Sequence, residues 1–353
     1  MAWSIDDLDT PAVIVDLDKV GTNLRRAQAY ADSHGLQLRP HVKTHKIPML
    51  ARRQVEVGAV GITCQKLGEA EVMADHGLDD ILLTFNLLGR AKMQRVVALA
   101  RRVRLCVTLD NAVVAGELDE AMRQAGLVVP VLIECDTGGE RCGVQMPEEA
   151  LGLARILEGL PGLRFTGLMT YPAKGKVEET AAWLDEAKSA LAQSGIEAKV
   201  VSTGGTPDLY RAHEIASATE HRPGTYIYGD RSLARTPKEI EECALRILTT
   251  VVSRPTEERA ILDAGSKTLS SDTMGLSGYG YVVEYPELVV TKLSEEHGHV
   301  DCSASELKPR IGERVTLIPN HACVVSNLHD VVHGVRGTRV ERVLKVEARG
   351  RVQ

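Results

Sequence analysis

The octapeptide Arg39-Pro40-His41-Val42-Lys43-Thr44-His45-Lys46 sets five basic or titratable side chains in eight positions. A lysine amine attacks a carbonyl only when unprotonated, and nearby positive charge or burial lowers its pKa. Arg39, His41, His45 and Lys46 supply that charge around Lys43. Lys43 is therefore a candidate Schiff-base amine, with His41 a titratable group beside it. A basic surface loop is the plain alternative for the stretch taken alone.

Three further stretches, one with an adjoining turn, carry residue types suited to chemistry. Glu134-Cys135-Asp136-Thr137-Gly138-Gly139-Glu140-Arg141-Cys142-Gly143-Val144 places Arg141 in a Gly-rich loop after an apolar run. A guanidinium there can hold a phenolate or carboxylate oxygen. Ser202-Thr203-Gly204-Gly205-Thr206-Pro207-Asp208 suits a turn whose backbone N–H groups cradle an anion. Arg222-Pro223-Gly224-Thr225 is a second Gly-containing turn that can add phosphate contacts. In Pro319-Asn320-His321-Ala322-Cys323, a strand would point positions i and i+2 to one face. His321 and Cys323 are then expected to share a metal, Zn²⁺ being the first expectation, with open positions for water or substrate. The plain alternatives are a surface arginine, ordinary glycine turns, and a buried cysteine beside a hydrogen-bonded histidine.

These stretches sit at the ends of alternating elements. Strand-like apolar runs occupy 60–64, 81–85, 105–109, 129–134, 165–170 and 199–202. Amphipathic stretches at 66–75, 90–101, 112–125, 147–159 and 177–194 lie between them, with apolar residues at three- and four-residue spacing. With a strand ending at Lys43 and another at 220–226, about eight units result. That number closes a (β/α)8 barrel whose site lies at the C-terminal ends of its strands. A doubly wound open sheet is the runner-up, weakened because no GxGxxG opens a helix after the first strand. Beyond residue 240 the texture turns β-rich. The expected domains are a barrel at 18–240 and a β-rich domain at 241–353. The strand Ala12-Val13-Ile14-Val15-Asp16, within 1–17, joins the second domain.

Composition bounds the function. The 353 residues are 44% hydrophobic and 25% charged, as in a soluble globular protein, and are long enough for a large core. A net charge of −6 without long single-sign blocks argues against a nucleic-acid or membrane footprint, and 3% aromatic residues argue against base stacking. Seven scattered cysteines without a CxxC pair fit a reduced compartment, most of them acting as buried hydrophobes. The first residues lack the basic and apolar regions of a signal peptide, so a cytoplasmic location is expected.

Taken in this order, the four stretches resemble the D-threonine aldolase and D-serine dehydratase family. These are fold-type III pyridoxal-phosphate enzymes sharing the alanine racemase barrel. The resemblance runs from Leu8-Asp9-Thr10-Pro11 to Glu347-Ala348-Arg349-Gly350 and includes Ser294-Glu295-Glu296-His297-Gly298. It implies that Lys43 carries the cofactor and that Arg141 lies near the cofactor's phenolic oxygen. It places Ser202, Gly204, Gly205 and Thr206 at the phosphate turn and Arg222 at the pyridine nitrogen, with Gly224 and Thr225 adding phosphate contacts. Gln65 and Tyr171 match active-site positions, and His321 and Cys323 match the pair holding a divalent metal, Zn or Mn. It also implies a homodimer acting on small-molecule D-amino acids.

The implied activity is cleavage of a D-3-hydroxy amino acid to glycine and an aldehyde. The same-class alternative is a D-serine or D-3-hydroxyaspartate dehydratase yielding a 2-oxo acid and ammonia. Two departures bear on the choice. The metal pair reads His-x-Cys, the dehydratase form, where aldolases carry His-x-Asp. After Tyr171 the chain reads Pro172-Ala173-Lys174-Gly175, where the aldolases carry a histidine and the dehydratases also place one nearby. Lys174, His41 or metal-bound water are the candidates to replace that base. A racemase using Tyr279 or Tyr281 as second base is less favoured. So is a non-catalytic cofactor carrier, which would lack residues 241–353.

Overall fold

In a computed structural model, the structure describes residues 3–234 and 236–353. Met1 and Ala2, from which the leader-free reading starts, and Arg235, within the expected barrel span, lie outside the described residues. The chain opens with β1 (Ala12–Asp16) and α1 (Leu17–Ser33). It divides into two compact units: Arg26–Lys43, Pro48–Gly224 and Arg351–Gln353 form one; Met1–Arg25, Thr44–Ile47 and Thr225–Gly350 form the other. The division is interleaved, the second unit taking the N-terminal segment as well as Thr225–Gly350. The segment Thr44–Ile47 leaves its sequence neighbours and packs with the second unit.

The first unit is the (β/α)8 barrel. Its strands are β2 (Gln37–Leu38), β3 (Ile62–Cys64), β4 (Asp80–Leu83), β5 (Arg104–Leu109), β6 (Val129–Cys135), β7 (Leu163–Thr170), β8 (Val200–Gly204) and β9 (Glu220–Arg222). The helices α2 (Pro48–Glu56), α3 (Leu67–Asp75), α4 (Arg90–Ala100), α5 (Ala112–Gln124), α6 (Pro147–Glu158) and α7 (Val177–Gln193) alternate with them. All neighbouring strands pair in parallel, in the order β2-β9-β8-β7-β6-β5-β4-β3. Val60 N–H to Leu38 O (2.9 Å) and Thr63 N–H to Pro40 O (2.8 Å) join the two ends of that order. Strands covered on both faces read as continuous apolar runs, which is why β4 and β6 are nearly all buried. Pro130 is tolerated in β6 because pairing with β5 starts only at Val131. Between β8 and β9 the crossover shortens to a 3₁₀ turn, Leu209–Glu214.

Gly167 fixes how β7 meets its neighbours. The β6–β7 register slips between Val131 and Leu132, which pair with Phe165 and Gly167 and leave Thr166 as a bulge. A Cβ added at Gly167 would lie 1.8 Å from the Val200 carbonyl oxygen of β8. Gly167→Ala is expected to cost about 3 kcal/mol or more, because the backbone of two paired strands must separate. An unchanged urea-unfolding midpoint for this variant would refute that account. The bulge matters to function because β7 ends directly before Tyr171.

The second unit is a mixed sheet. β10 (Leu245–Thr256) pairs with β1, β11 (Arg259–Leu262) and β15 (Arg314–Ile318). The strands β12 (Tyr281–Val282), β13 (Val289–Leu293), β14 (Gly298–Asp301), β16 (Val331–Arg336) and β17 (Arg339–Lys345) extend it, with short helices α8 (Pro237–Glu242), α9 (Ser266–Leu269) and α10 (Ala322–Leu328). β1 lies between β10, antiparallel, and β16, parallel. Leu8, Ala12, Ile14, Leu248, Val335 and Val340 form one apolar cluster there. All seven cysteines are free thiols. No described helix is long and apolar enough to cross a membrane.

Candidate active site

Lys43 does not end a strand. β2 stops at Leu38, and Lys43 sits in a 3₁₀ turn, Val42–Thr44, beyond the barrel rim. The basic octapeptide lacks the continuous apolar alternation that a longer strand needs, and Pro40 has no N–H to give, although isolated pairing continues as far as His41. Lys43, His41, Gln65, Arg141, Tyr171 and Arg222 nevertheless line one pocket, together with Thr84 and Met169. Six residues singled out from five separate places in the sequence thus converge.

Gln65 organises the lysine side. Its Oε1 accepts from Lys43 Nζ (3.3 Å) and His41 Nε2–H (3.1 Å), while its amide nitrogen donates to Thr84 O (2.6 Å). His41 Nδ1 faces the Lys43 backbone N–H (3.5 Å). Burial, then the charges of Lys43 and Arg222, hold His41 well below the usual imidazole range. His41 is therefore neutral, with its N–H committed to Gln65 rather than a lone pair open to the cavity.

Arg222 forms the opposite wall. It is only 5% exposed. Nη1 donates to Ser202 Oγ (2.7 Å) and Nη2 to Thr170 O (2.7 Å). Ser202 Oγ donates in turn to Glu220 Oε1 (2.5 Å), whose other oxygen accepts from Arg39 Nε (2.6 Å). Burial lowers Arg222 to about 10, against the opposing effect of Glu220 and Glu134. Ser202 lies beneath Arg222 and does not line the cavity, so its side chain orients the arginine instead of meeting a ligand.

The remaining cation stands on a turn built by Asp136. Asp136 Oδ1 accepts the N–H groups of Gly138 (3.0 Å), Gly139 (2.7 Å) and Glu140 (3.1 Å). Glu140 adopts φ 50°, an uncommon left-handed conformation for a side-chain-bearing residue. Arg141 emerges next, 3.6 Å from Glu134 Oε1 and 5.2 Å from the Tyr171 ring centre. Burial pushes the Glu134 carboxyl up, offset in part by Arg141.

The glycine turn lies in the same unit. Gly205 has φ 113°, a conformation that favours glycine, and a Cβ at Gly204 would come 2.8 Å from Arg222 Nη2, whose side chain would have to shift. His221 clamps the turn from behind, donating from Nε2 to Gly205 O (2.9 Å) and accepting from Thr203 Oγ1 (2.9 Å). Burial lowers His221 to about 4. Gly224 N–H donates to Thr206 Oγ1 (3.1 Å), joining the two Gly-containing turns. Lys174 is exposed and is not among the residues lining the cavity.

In the second unit, His321 and Cys323 do not share a strand face. His321 is the N-cap of α10 and Cys323 lies in its first turn. Two side chains missed in the sequence set this geometry. Asp230 Oδ2 accepts Ala322 N–H (2.9 Å), starting the helix there. Buried Asn320 accepts from Gly280 N–H (2.9 Å) and donates to Gly278 O (2.8 Å), pinning the turn before it. His321 and Cys323 still hydrogen-bond. Burial disfavours charge on both, but Cys323 and Asp272 raise His321 to about 9 while His321 lowers the thiol. Thr44 Oγ1 lies 3.2 Å and Thr225 Oγ1 3.6 Å from Cys323 Sγ. Among the described residues no group of three or more His, Cys, Asp or Glu side chains is placed to hold a metal, so the pair would need non-protein ligands as well.

A pocket in which two arginines accompany one lysine suits capture of an anionic, carbonyl-bearing group. Residues 15–232 match the family "Alanine racemase, N-terminal domain" and 244–335 the family "Putative serine dehydratase domain". The chain is 35% identical to a D-threonine aldolase of Arthrobacter sp, over 97% of this chain and 93% of that one. The crystal structure of D-threonine aldolase from Filomicrobium marinum superposes with TM-score 0.93 at 32% identity, covering 100% and 99% of the two chains. A cysteine-to-alanine variant of D-threo-3-hydroxyaspartate dehydratase, in the metal-free form, gives 0.88 at 30%, covering 97% and 98%. The chain belongs to the D-threonine aldolase and D-serine dehydratase family of fold-type III pyridoxal-phosphate enzymes, built on the alanine racemase fold.

Proposed function

We propose that this chain is a pyridoxal-phosphate lyase that cleaves D-3-hydroxy amino acids to glycine and an aldehyde, with a divalent metal, Zn²⁺ or Mn²⁺, at His321 and Cys323. The observation that carries this reading is the convergence of Lys43, Arg141 and Arg222 on one cavity. The donor set fits the cofactor. Three cations face the cavity, whereas Glu134, the carboxyl beside Arg141, is pushed toward neutrality. Gly205 takes a left-handed φ and Gly204 packs against Arg222, in the turn where an anion cradle is expected. The cofactor would be held by Lys43 at its carbonyl carbon, Arg141 at its phenolic oxygen and Arg222 at its ring nitrogen. Gly204, Gly205, Thr206, Gly224 and Thr225 would serve its phosphate.

When bound, pyridoxal phosphate supplies an electron sink for charge left on the substrate's α-carbon. A divalent metal supplies Lewis acidity toward a hydroxyl oxygen. The chain's own residues do the rest. Gln65 aims the Lys43 amine, and His41, kept neutral, locks Gln65. Arg141 and Lys43 flank the Tyr171 ring at 5.2 and 5.8 Å, so Tyr171 limits how a substrate enters between them. The same reading includes a homodimer and a cytoplasmic location.

A dehydratase is the second reading, favoured by Cys323 in the metal pair. Incubating the holoenzyme separately with D-threonine, D-phenylserine and D-serine distinguishes the two. Glycine plus aldehyde is the expected outcome. A 2-oxo acid plus ammonia would replace it with dehydration. Retention of the amino acid with α-proton exchange would replace it with racemisation, and bound cofactor without turnover would leave only a carrier.

A further inference from the structure

His321 Nδ1 lies 2.6 Å from Asp272 Oδ2, a carboxylate 49 positions away in sequence. From this contact we infer that Asp272 is the positioning residue of the metal pair, fixing the tautomer and aim of His321. The inference rests on the metal reading proposed above and extends it to a residue that no motif marks.

An imidazole binds a metal through one nitrogen and is oriented by what its other nitrogen donates to. Asp272 accepts at Nδ1, so the lone pair left for a metal is on Nε2. Asp272 is itself held. Its Oδ1 accepts Met274 N–H (3.0 Å), and its own N–H donates to Ser270 Oγ (3.0 Å). Ser270 and Met274, on either side, adopt φ 65° and 51°, left-handed conformations that side-chain-bearing residues seldom take. A segment kept in two such conformations presents one carboxylate to one histidine. Asp272 is not a third ligand, because no three-member cluster that includes it exists among the described residues.

An ion pair serving only stability would make the same contact, so the test reads metal affinity. Apoprotein is titrated with Zn²⁺ against a chromophoric chelator for wild type, Asp272→Ala, Asp272→Asn and His321→Ala. Asp272→Ala is expected to weaken Zn²⁺ binding by about 10- to 100-fold. Asp272→Asn is expected to fall between, since its amide oxygen still accepts Nδ1–H. Wild-type affinity in Asp272→Ala overturns the inference and leaves the metal reading standing. If Asp272→Ala does not fold, Asp272→Asn decides: at least about threefold weaker binding supports the role, and unchanged binding overturns it. Binding in wild type that persists in His321→Ala, or no binding in wild type, overturns the metal reading and the inference with it.

Discussion

Lys43→Ala is expected to lower kcat/KM by at least about a thousandfold, the scale of losing an activated nucleophile. Lys43 is the only primary amine among the residues lining the cavity. Arg141 and Arg222 cannot replace it, because a guanidinium stays protonated and does not attack a carbonyl. Lys43→Arg is expected to be equally inactive for that reason. The loss is chemical rather than structural. Lys43 lies in a short turn, and the His41–Gln65–Thr84 contacts remain when its side chain is removed. Circular dichroism of the variant should therefore match wild type. Borohydride reduction followed by peptide mass spectrometry should fix the cofactor to Lys43 in wild type and to no lysine in the variant. A variant with a tenth of wild-type activity, or cofactor fixed to another lysine in wild type, would end the assignment.

The second large effect concerns the metal pair. Lewis-acid assistance is worth several kcal/mol, which corresponds to roughly 10²- to 10⁴-fold in rate. Exhaustive chelation, His321→Ala and Cys323→Ala are each expected to produce a loss on that scale. Zn²⁺ or Mn²⁺ should restore chelated wild type and not the two variants. Activity in Cys323→Ala within twofold of wild type would remove the metal from the mechanism.

The sequence by itself determined the alternation of elements. Buried strands and amphipathic helices obey local periodicities, so β5, β6, α5 and α6 are legible within a few residues of where they form. It also marked Lys43, Arg141, the Gly204–Thr206 turn and the His321/Cys323 pair, because unusual residue types cluster there. The Asx turn at Asp136 was readable from Asp-Thr-Gly-Gly, although only Arg141 was drawn from it.

Only the tertiary structure decided which side chains those residues meet. β2 neighbours β9, so Arg39 meets Glu220 across 181 positions, and Glu220 reaches Arg222 through Ser202. Thr84 and Gln65 meet because β3 and β4 are adjacent. The HxC pair was expected on a strand, yet Asp230 and Asn320 turn that stretch into a helix start. Asp272 reaches His321 from 49 positions upstream. Periodicity is a property of neighbouring residues, whereas the partner of a polar side chain is set by strand order and by loops folding back, and neither leaves a local signal in the chain.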